Sequence, residues 1–167
     1  MQQRSTALIA PILIVACSVA QAETFTVPAE VGFADIVAVS DAVRNECTLQ
    51  TRLPEFIKDG ARGDVDIVIS DEPLDNVAGK VLRLEYVNIL GAGGGAWSGP
   101  KSATVSGELW ENGELIGSFV ASRYSRGGAF GGFKGTCSIL GRCIRTLGVD
   151  IARWLGDPTM DARLGNA

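Results

Sequence analysis

The spacing of apolar and polar positions divides the chain into short strands and two helices. Residues 34–43 (ADIVAVSDAV) are β-branched or small and predict a strand. Between 45 and 61, Leu49, Leu53, Phe56 and Ile57 recur at helical spacing, and Gly60 and Gly63 end the run. Pro54 inside it demands a kink or a helix that starts near Thr51. Residues 64–70 (DVDIVIS) and 81–90 (VLRLEYVNIL) predict two more strands. A further pair, 102–111 and 114–124, flanks Asn112-Gly113, the strongest hairpin signal in the chain. The last element is a helix over 136–155, with Cys137, Leu140, Ile144, Leu147, Ile151 and Trp154 as its apolar stripe. Gly156 and Pro158 stop it, and 158–167 is expected to be a loose tail.

The order β-α-β-β-β-β-α predicts an α+β domain, a mainly antiparallel sheet with two helices packed on one face. A two-residue turn at Asn112-Gly113 sets Glu111 opposite Glu114. In unbroken register Leu109 then opposes Ile116, and Val105 opposes Val120, on the core face. Trp110 opposes Leu115 and Ser106 opposes Phe119 on the other. The outward stripe of Trp110, Leu115 and Phe119 is too apolar for a solvated surface and reads as an interface for a partner or a second copy. The alternative is that the N-terminal segment, through Phe25 and Val27, or a long loop covers it.

The first residues are a different kind of signal. Gln2-Gln3-Arg4 precedes an apolar run over 5–20 broken by Pro11, and Ala20-Gln21-Ala22 is an A-x-A cleavage site. This is the pattern of a signal peptide over 1–22, ahead of a single domain over 23–157. The uninterrupted apolar stretch is shorter than the roughly 20 residues a spanning helix needs. Ile14-Val15-Ala16-Cys17 also reads as a lipobox, which makes Cys17 a lipidation candidate. Either processing route exports the protein, to the periplasm or to a lipid tether at the outer membrane.

Export changes the reading of the cysteines. Cys47, Cys137 and Cys143 remain in the mature chain, and an oxidising compartment favours a disulfide. Cys137 and Cys143 on one helix stand about 9 Å apart along its axis, too far to bridge. Cys47 is therefore expected to pair with Cys137 or with Cys143, the alternative being three buried thiols.

Composition narrows the chemistry. The 167 residues include no histidine, 15 basic and 19 acidic side chains, for a net charge of −4. Triads and dyads built on imidazole are excluded, as are histidine zinc sites. The charge argues against nucleic-acid binding. One distant cysteine beside C-x5-C is a poor ligand set, so no metal and no cofactor is expected. Asp64, Asp66, Asp71 and Asp75 read as a solvated strand edge and turn rather than a catalytic carboxylate pair.

One motif occurs twice. Residues 94–101 (GGAWSGPK) are echoed by 127–134 (GGAFGGFK), 33 positions later. Neither is a phosphate loop. The Walker spacing fails by one inserted residue, and the GxGxxA over 91–96 leads to Pro100 and a strand instead of a helix. The strand order places both loops at one end of the sheet, beside the start of the last helix. Trp97, Lys101, Arg126, Phe130, Phe133 and Lys134 are the resulting binding candidates, with Arg123 nearby. Aromatic faces and cations there suit a carboxylate, phosphate or sugar acid. The structural alternative is tight loop packing, with Trp97 and Phe130 capping the core.

The runs GAGGGAWSGPKS (91–102) and GGAFGGFKGTCSILGRC (127–143) and the ending WLGDP resemble those of uncharacterised Gram-negative envelope proteins. That group is similar in element order to lipoproteins of unknown function whose fold is like curli-secretion and TolB N-terminal modules. The resemblance implies a non-enzymatic accessory or assembly protein of the envelope that binds an envelope protein, glycan or lipid component. It supplies no catalytic residue. A small-ligand or glycan-binding module using the two loops is the alternative.

Overall fold

Asn112 and Gly113 take φ values of 50° and 87° and turn the chain from β5 (Lys101–Glu111) into β6 (Glu114–Ser125). This hairpin organises the sheet. The computed structural model describes residues 22–91, 100–125 and 135–167. Before the hairpin come β1 (Glu23–Pro28), β2 (Gly32–Phe33), α1 (Asp41–Glu46), α2 (Leu49–Gly60), β3 (Val65–Ser70) and β4 (Lys80–Leu90). After it come α3 (Thr136–Trp154) and β7 (Ala162–Gly165).

The fold is α+β, with a seven-stranded sheet in the order β3-β1-β4-β5-β6-β7 and β2 paired to β4. The long pairings, β4 with β5 and β5 with β6, are antiparallel, whereas the flanking ones are parallel. Helices α2 and α3 pack against each other over one face. Their close approach needs Gly148, where a Cβ would lie 2.6 Å from the Phe56 backbone. Beneath them Leu53, Ile57, Leu140, Ile144, Leu147 and Ile151 meet Phe25, Leu82, Tyr86, Val105 and Leu109.

Five expectations change. Residues 34–43 do not form a strand. Ser40 accepts from the Val43 N–H at 3.4 Å and caps α1, so a local cap outweighs β-propensity. The helical run is split at Thr48, which adopts φ 47° between α1 and α2. Pro54 sits well inside α2, where its missing N–H would orphan the Gln50 carbonyl. The Val31 N–H donates to that carbonyl at 3.1 Å, so the helix starts at Leu49 and needs no later start.

The N-terminal segment does not cover the sheet; it lies within it. β1 is inserted between β3 and β4, and Phe25 and Val27 are fully buried. The tail is not loose either. β7 pairs in parallel with β6, the Asp161 N–H donates to Ser118 Oγ at 2.8 Å, and the Asn166 N–H donates to the Ser122 carbonyl at 2.8 Å.

The fifth change is in the hairpin register. Glu111 opposes Glu114 and Trp110 opposes Leu115, but Leu109 opposes Gly117, leaving Ile116 as an extra residue. This bulge flips every later position of β6 to the other face. Phe119 therefore enters the core at 3% exposed, and Val120 turns outward at 37%. Phe119 is removed from the interface candidates. Its ring fills the space left by Gly107 and packs edge-on against Trp154 at 4.8 Å.

Candidate functional site

Two regions carry the sequence candidates, the sheet end where the glycine-rich segments attach and the helix-free sheet face. At the sheet end, Leu90 of β4 pairs with Ser102, and Lys101 pairs with Ser125. The strand ends that lead into 92–99 and 126–134 are thus adjacent, as the strand order requires. Trp97, Arg126, Phe130, Phe133 and Lys134 lie outside the described residues, as does Cys17. Lys101 is described and fully buried, so it is no exposed cation for an incoming acid. Its carbonyl lies 4.0 Å from Cys143 Sγ. Arg123 is committed elsewhere, with a two-pronged hydrogen bond to Asp150 at 2.7 and 2.9 Å. That bond holds its guanidinium above the ordinary arginine range.

Cysteine chemistry at this end is structural. Cys47, at the end of α1, is bonded to Cys137 in the first turn of α3, across 90 positions of sequence. Among the described residues Cys143 is the remaining thiol, and burial pushes it up and away from the reactive thiolate form. Among the described residues no group of three or more Cys, Asp or Glu side chains could hold a metal ion.

The helix-free face is organised around Trp110. Val81, Trp110 and Leu115 align across β4, β5 and β6. Trp110 and Leu115 are half-buried. The indole donates to Glu108 at 3.1 Å, and the Arg83 guanidinium stands 5.3 Å from the ring centre. Arg83 also pairs with Asp75, in the short turn Leu74–Asn76 between β3 and β4. Trp110 is therefore locked into a polar bracket instead of standing free.

Beside this bracket lies a groove of about 410 Å³, lined by Arg83, Glu85, Ser106, Glu108, Ser118, Val120 and Arg163 among others. β7 builds its far wall. Sequence reasoning missed the groove because it missed both the bulge and β7. The signal available was Gly107 and Gly117, since a lone glycine inside a strand marks a bulge or a close approach. The groove offers both charge signs, two hydroxyls and four apolar residues, Leu84, Phe119, Val120 and Ala162, on a firm sheet. On its β7 side Ser118 Oγ donates to Asp161 Oδ1 at 3.3 Å, an exposed contact that ties β6 to β7, and the mixed lining suits binding.

Among the described residues no helix is long and apolar enough to cross a membrane. No protein-family model matches the chain, and no curated protein matches it. Among solved structures, the fold is similar to that of an uncharacterised protein at 14% identity, spanning 81% of this chain and 93% of that one, with a TM-score of 0.51. It is also similar to a Xanthomonas campestris protein of the DUF330 family at 7% identity, spanning 81% and 86%, with a TM-score of 0.50. PelC from Paraburkholderia phytofirmans, a dodecamer, follows at 14% identity over 77% and 87%, with a TM-score of 0.47. At these identities the likeness is one of fold, and the better-matching folds belong to proteins of uncharacterised or unknown function.

Proposed function

We propose that the protein is a non-enzymatic accessory of the bacterial envelope that binds another envelope component through the helix-free face of its sheet. The observation that carries this reading is the groove between the Trp110 bracket and β7, with Val120 exposed in its lining. A sheet face that no helix covers, fixed by a bulge and an added strand, is a rigid platform for a partner. The Cys47–Cys137 bond supports export, since such bonds persist in oxidising compartments. The signal segment over 1–22 directs the chain to the periplasm, with Cys17 as the point of a lipid tether in the lipobox reading. An assembly role like that of curli-secretion or TolB N-terminal modules follows from the sequence resemblance.

Photo-crosslinking in cells tests it. A crosslinker at position 106, 118 or 120 is expected to give one recurring adduct with an envelope component, and one at Asp35 is expected to give none. Adducts from Asp35 alone, or the same adduct from every position, would overturn it. An adduct that forms only from positions in 92–99 or 126–134 would transfer the function to the glycine-aromatic segments.

A further inference from the structure

The helical layer carries a second surface of different chemistry. Its solvent face on α3 consists of Ser138, Arg142, Arg145, Thr146, Val149 and Arg153, a stripe of roughly 22 Å in which every charge is an arginine. The one acid of α3, Asp150, is buried at 8% exposed, bound to Arg123 of β6 and 3.9 Å from the Arg153 guanidinium. Arg52 of α2 joins the stripe. Gly141 leaves room for it, because a Cβ there would lie 2.9 Å from an Arg52 guanidinium nitrogen. Arg52 and Arg145 both lie against the Phe56 ring, at 5.2 and 4.9 Å from its centre. Stacking on one ring holds two guanidiniums in place that would otherwise repel each other.

None of Arg52, Arg142 and Arg145 has a carboxylate within 4.0 Å among the described residues, although Glu55 and Asp59 lie on neighbouring turns of α2. The protein as a whole is acidic, with a net charge of −4. Three unpaired, aligned arginines in an acidic chain mark the one helix face whose charge is complementary to an anionic surface. The stripe lies outside the sheet groove; Val149 and Arg153 at its far end border a hollow of about 360 Å³ with Asp59 and Arg62, while Arg142 and Arg145 are exposed and border neither that hollow nor the groove. The stripe therefore suits many mobile headgroups better than one enclosed ligand.

We propose that the α3 face with Arg52 is a contact surface for a bilayer bearing phosphate headgroups. The helical layer lies toward the membrane, and the sheet groove faces away. Arg142 and Arg145 meet headgroup phosphates, Arg153 extends the contact by two turns, and Val149 sits between them. This surface is independent of the sheet-face reading and stands or falls without it.

Co-sedimentation of the purified full chain with vesicles tests the proposal. Phosphatidylcholine vesicles give the baseline, which includes any adherence of the apolar N-terminal segment. Vesicles containing phosphatidylglycerol are expected to retain more protein, and added salt is expected to remove the excess. Each of Arg142→Gln, Arg145→Gln and Arg153→Gln is expected to lower the excess about fivefold, near the value of one basic side chain at an anionic surface. Arg44→Gln, exposed on α1 and outside both the stripe and the groove, is expected to leave it unchanged. Arg52→Gln and Arg145→Gln also remove packing on Phe56, so Arg142→Gln and Arg153→Gln carry the decision if either fails to fold. Equal retention on both vesicles, or equal loss from Arg44→Gln, would overturn the proposal. So would competition by inorganic phosphate beyond that of chloride at equal ionic strength, which would assign the arginines to a discrete anion. Loss of an acidic protein partner with vesicle binding intact at the triple α3 variant would also reject the bilayer.

Discussion

Gly107 faces Phe119 across the β5–β6 pair, and the Phe119 ring occupies the space where a side chain at 107 would stand: a Cβ there would lie 2.3 Å from the ring. Gly117 does the same for Trp154, at 2.9 Å. The two glycines let two large rings sit edge to face between sheet and helix. Gly107→Ala is therefore expected to destabilise the fold by about 1–3 kcal/mol through overpacking. Phe119→Ala is expected to cost about 3–5 kcal/mol, because the ring is buried. Urea unfolding measures both. A Phe119→Ser variant as stable as the wild type would mean that the unbulged register, with the ring outward, is the true one.

The disulfide closes a long loop and ties α1 to α3. Cys47→Ala with Cys137→Ala is expected to lower stability by about 2–5 kcal/mol. Reduction of the wild type is expected to lower it by a similar amount. Cys143→Ala leaves the bond intact and removes only a small buried group. In the native protein, the Cys143 thiol is expected to react with iodoacetamide only as fast as the protein unfolds, since burial raises it. Rapid labelling mapped to Cys47 or Cys137 under native, non-reducing conditions would show the bond to be wrongly assigned.

The strands and the long helix were legible because their signals are local and repeated. The Asn112-Gly113 turn, the α3 stripe and the runs at 65–70 and 80–90 each needed only their own residues. What failed depended on distant partners. β1 reads as a short polar-apolar segment behind a cleavage site, and only its parallel neighbours make it a core strand. β7 has four residues and owes its place to the β6 backbone. The bulge at Ile116 answers a demand from Trp154, 38 residues away, for an inward ring at 119. The Cys47 pairing was open between two partners until α3 was placed over α1.

β7 also supports an ion pair. Gly165 has φ 74°, and a Cβ there would lie 2.4 Å from the Ser122 carbonyl and 2.9 Å from Arg123 Nε. Gly165→Ala is expected to detach the C-terminal strand and loosen the Arg123–Asp150 pair together. Amide exchange in β7 and along the β7 side of β6 is expected to rise, with β4 unchanged. Asp150→Asn is expected to destabilise by about 1–3 kcal/mol, below the range for fully buried pairs because Arg123 remains 29% exposed. Unchanged exchange in Gly165→Ala would separate the strand from the pair.

Tyr86 gives the fold an alkaline limit. Its phenol is fully buried and donates to the Leu49 carbonyl at 2.9 Å, joining β4 to α2. Burial pushes its ionisation well above the ordinary value, and the Arg52 charge offsets only a small part. In the unfolded chain the phenol titrates near pH 10. Below about pH 10 both states hold the proton, and Tyr86 adds no pH dependence. Above it the unfolded chain releases the proton while the folded one keeps it. Stability then falls as pH rises, with a slope approaching about 1.4 kcal/mol per pH unit. Tyr86→Phe is expected to cost about 0.5–1.5 kcal/mol at neutral pH through the lost hydrogen bond. It is also expected to flatten the alkaline fall, so that the variant and the wild type converge as pH increases. Every other ionisable group is common to the two proteins, so the difference between the two curves isolates Tyr86. Parallel curves above pH 10 would mean that the phenol reaches water in the folded state.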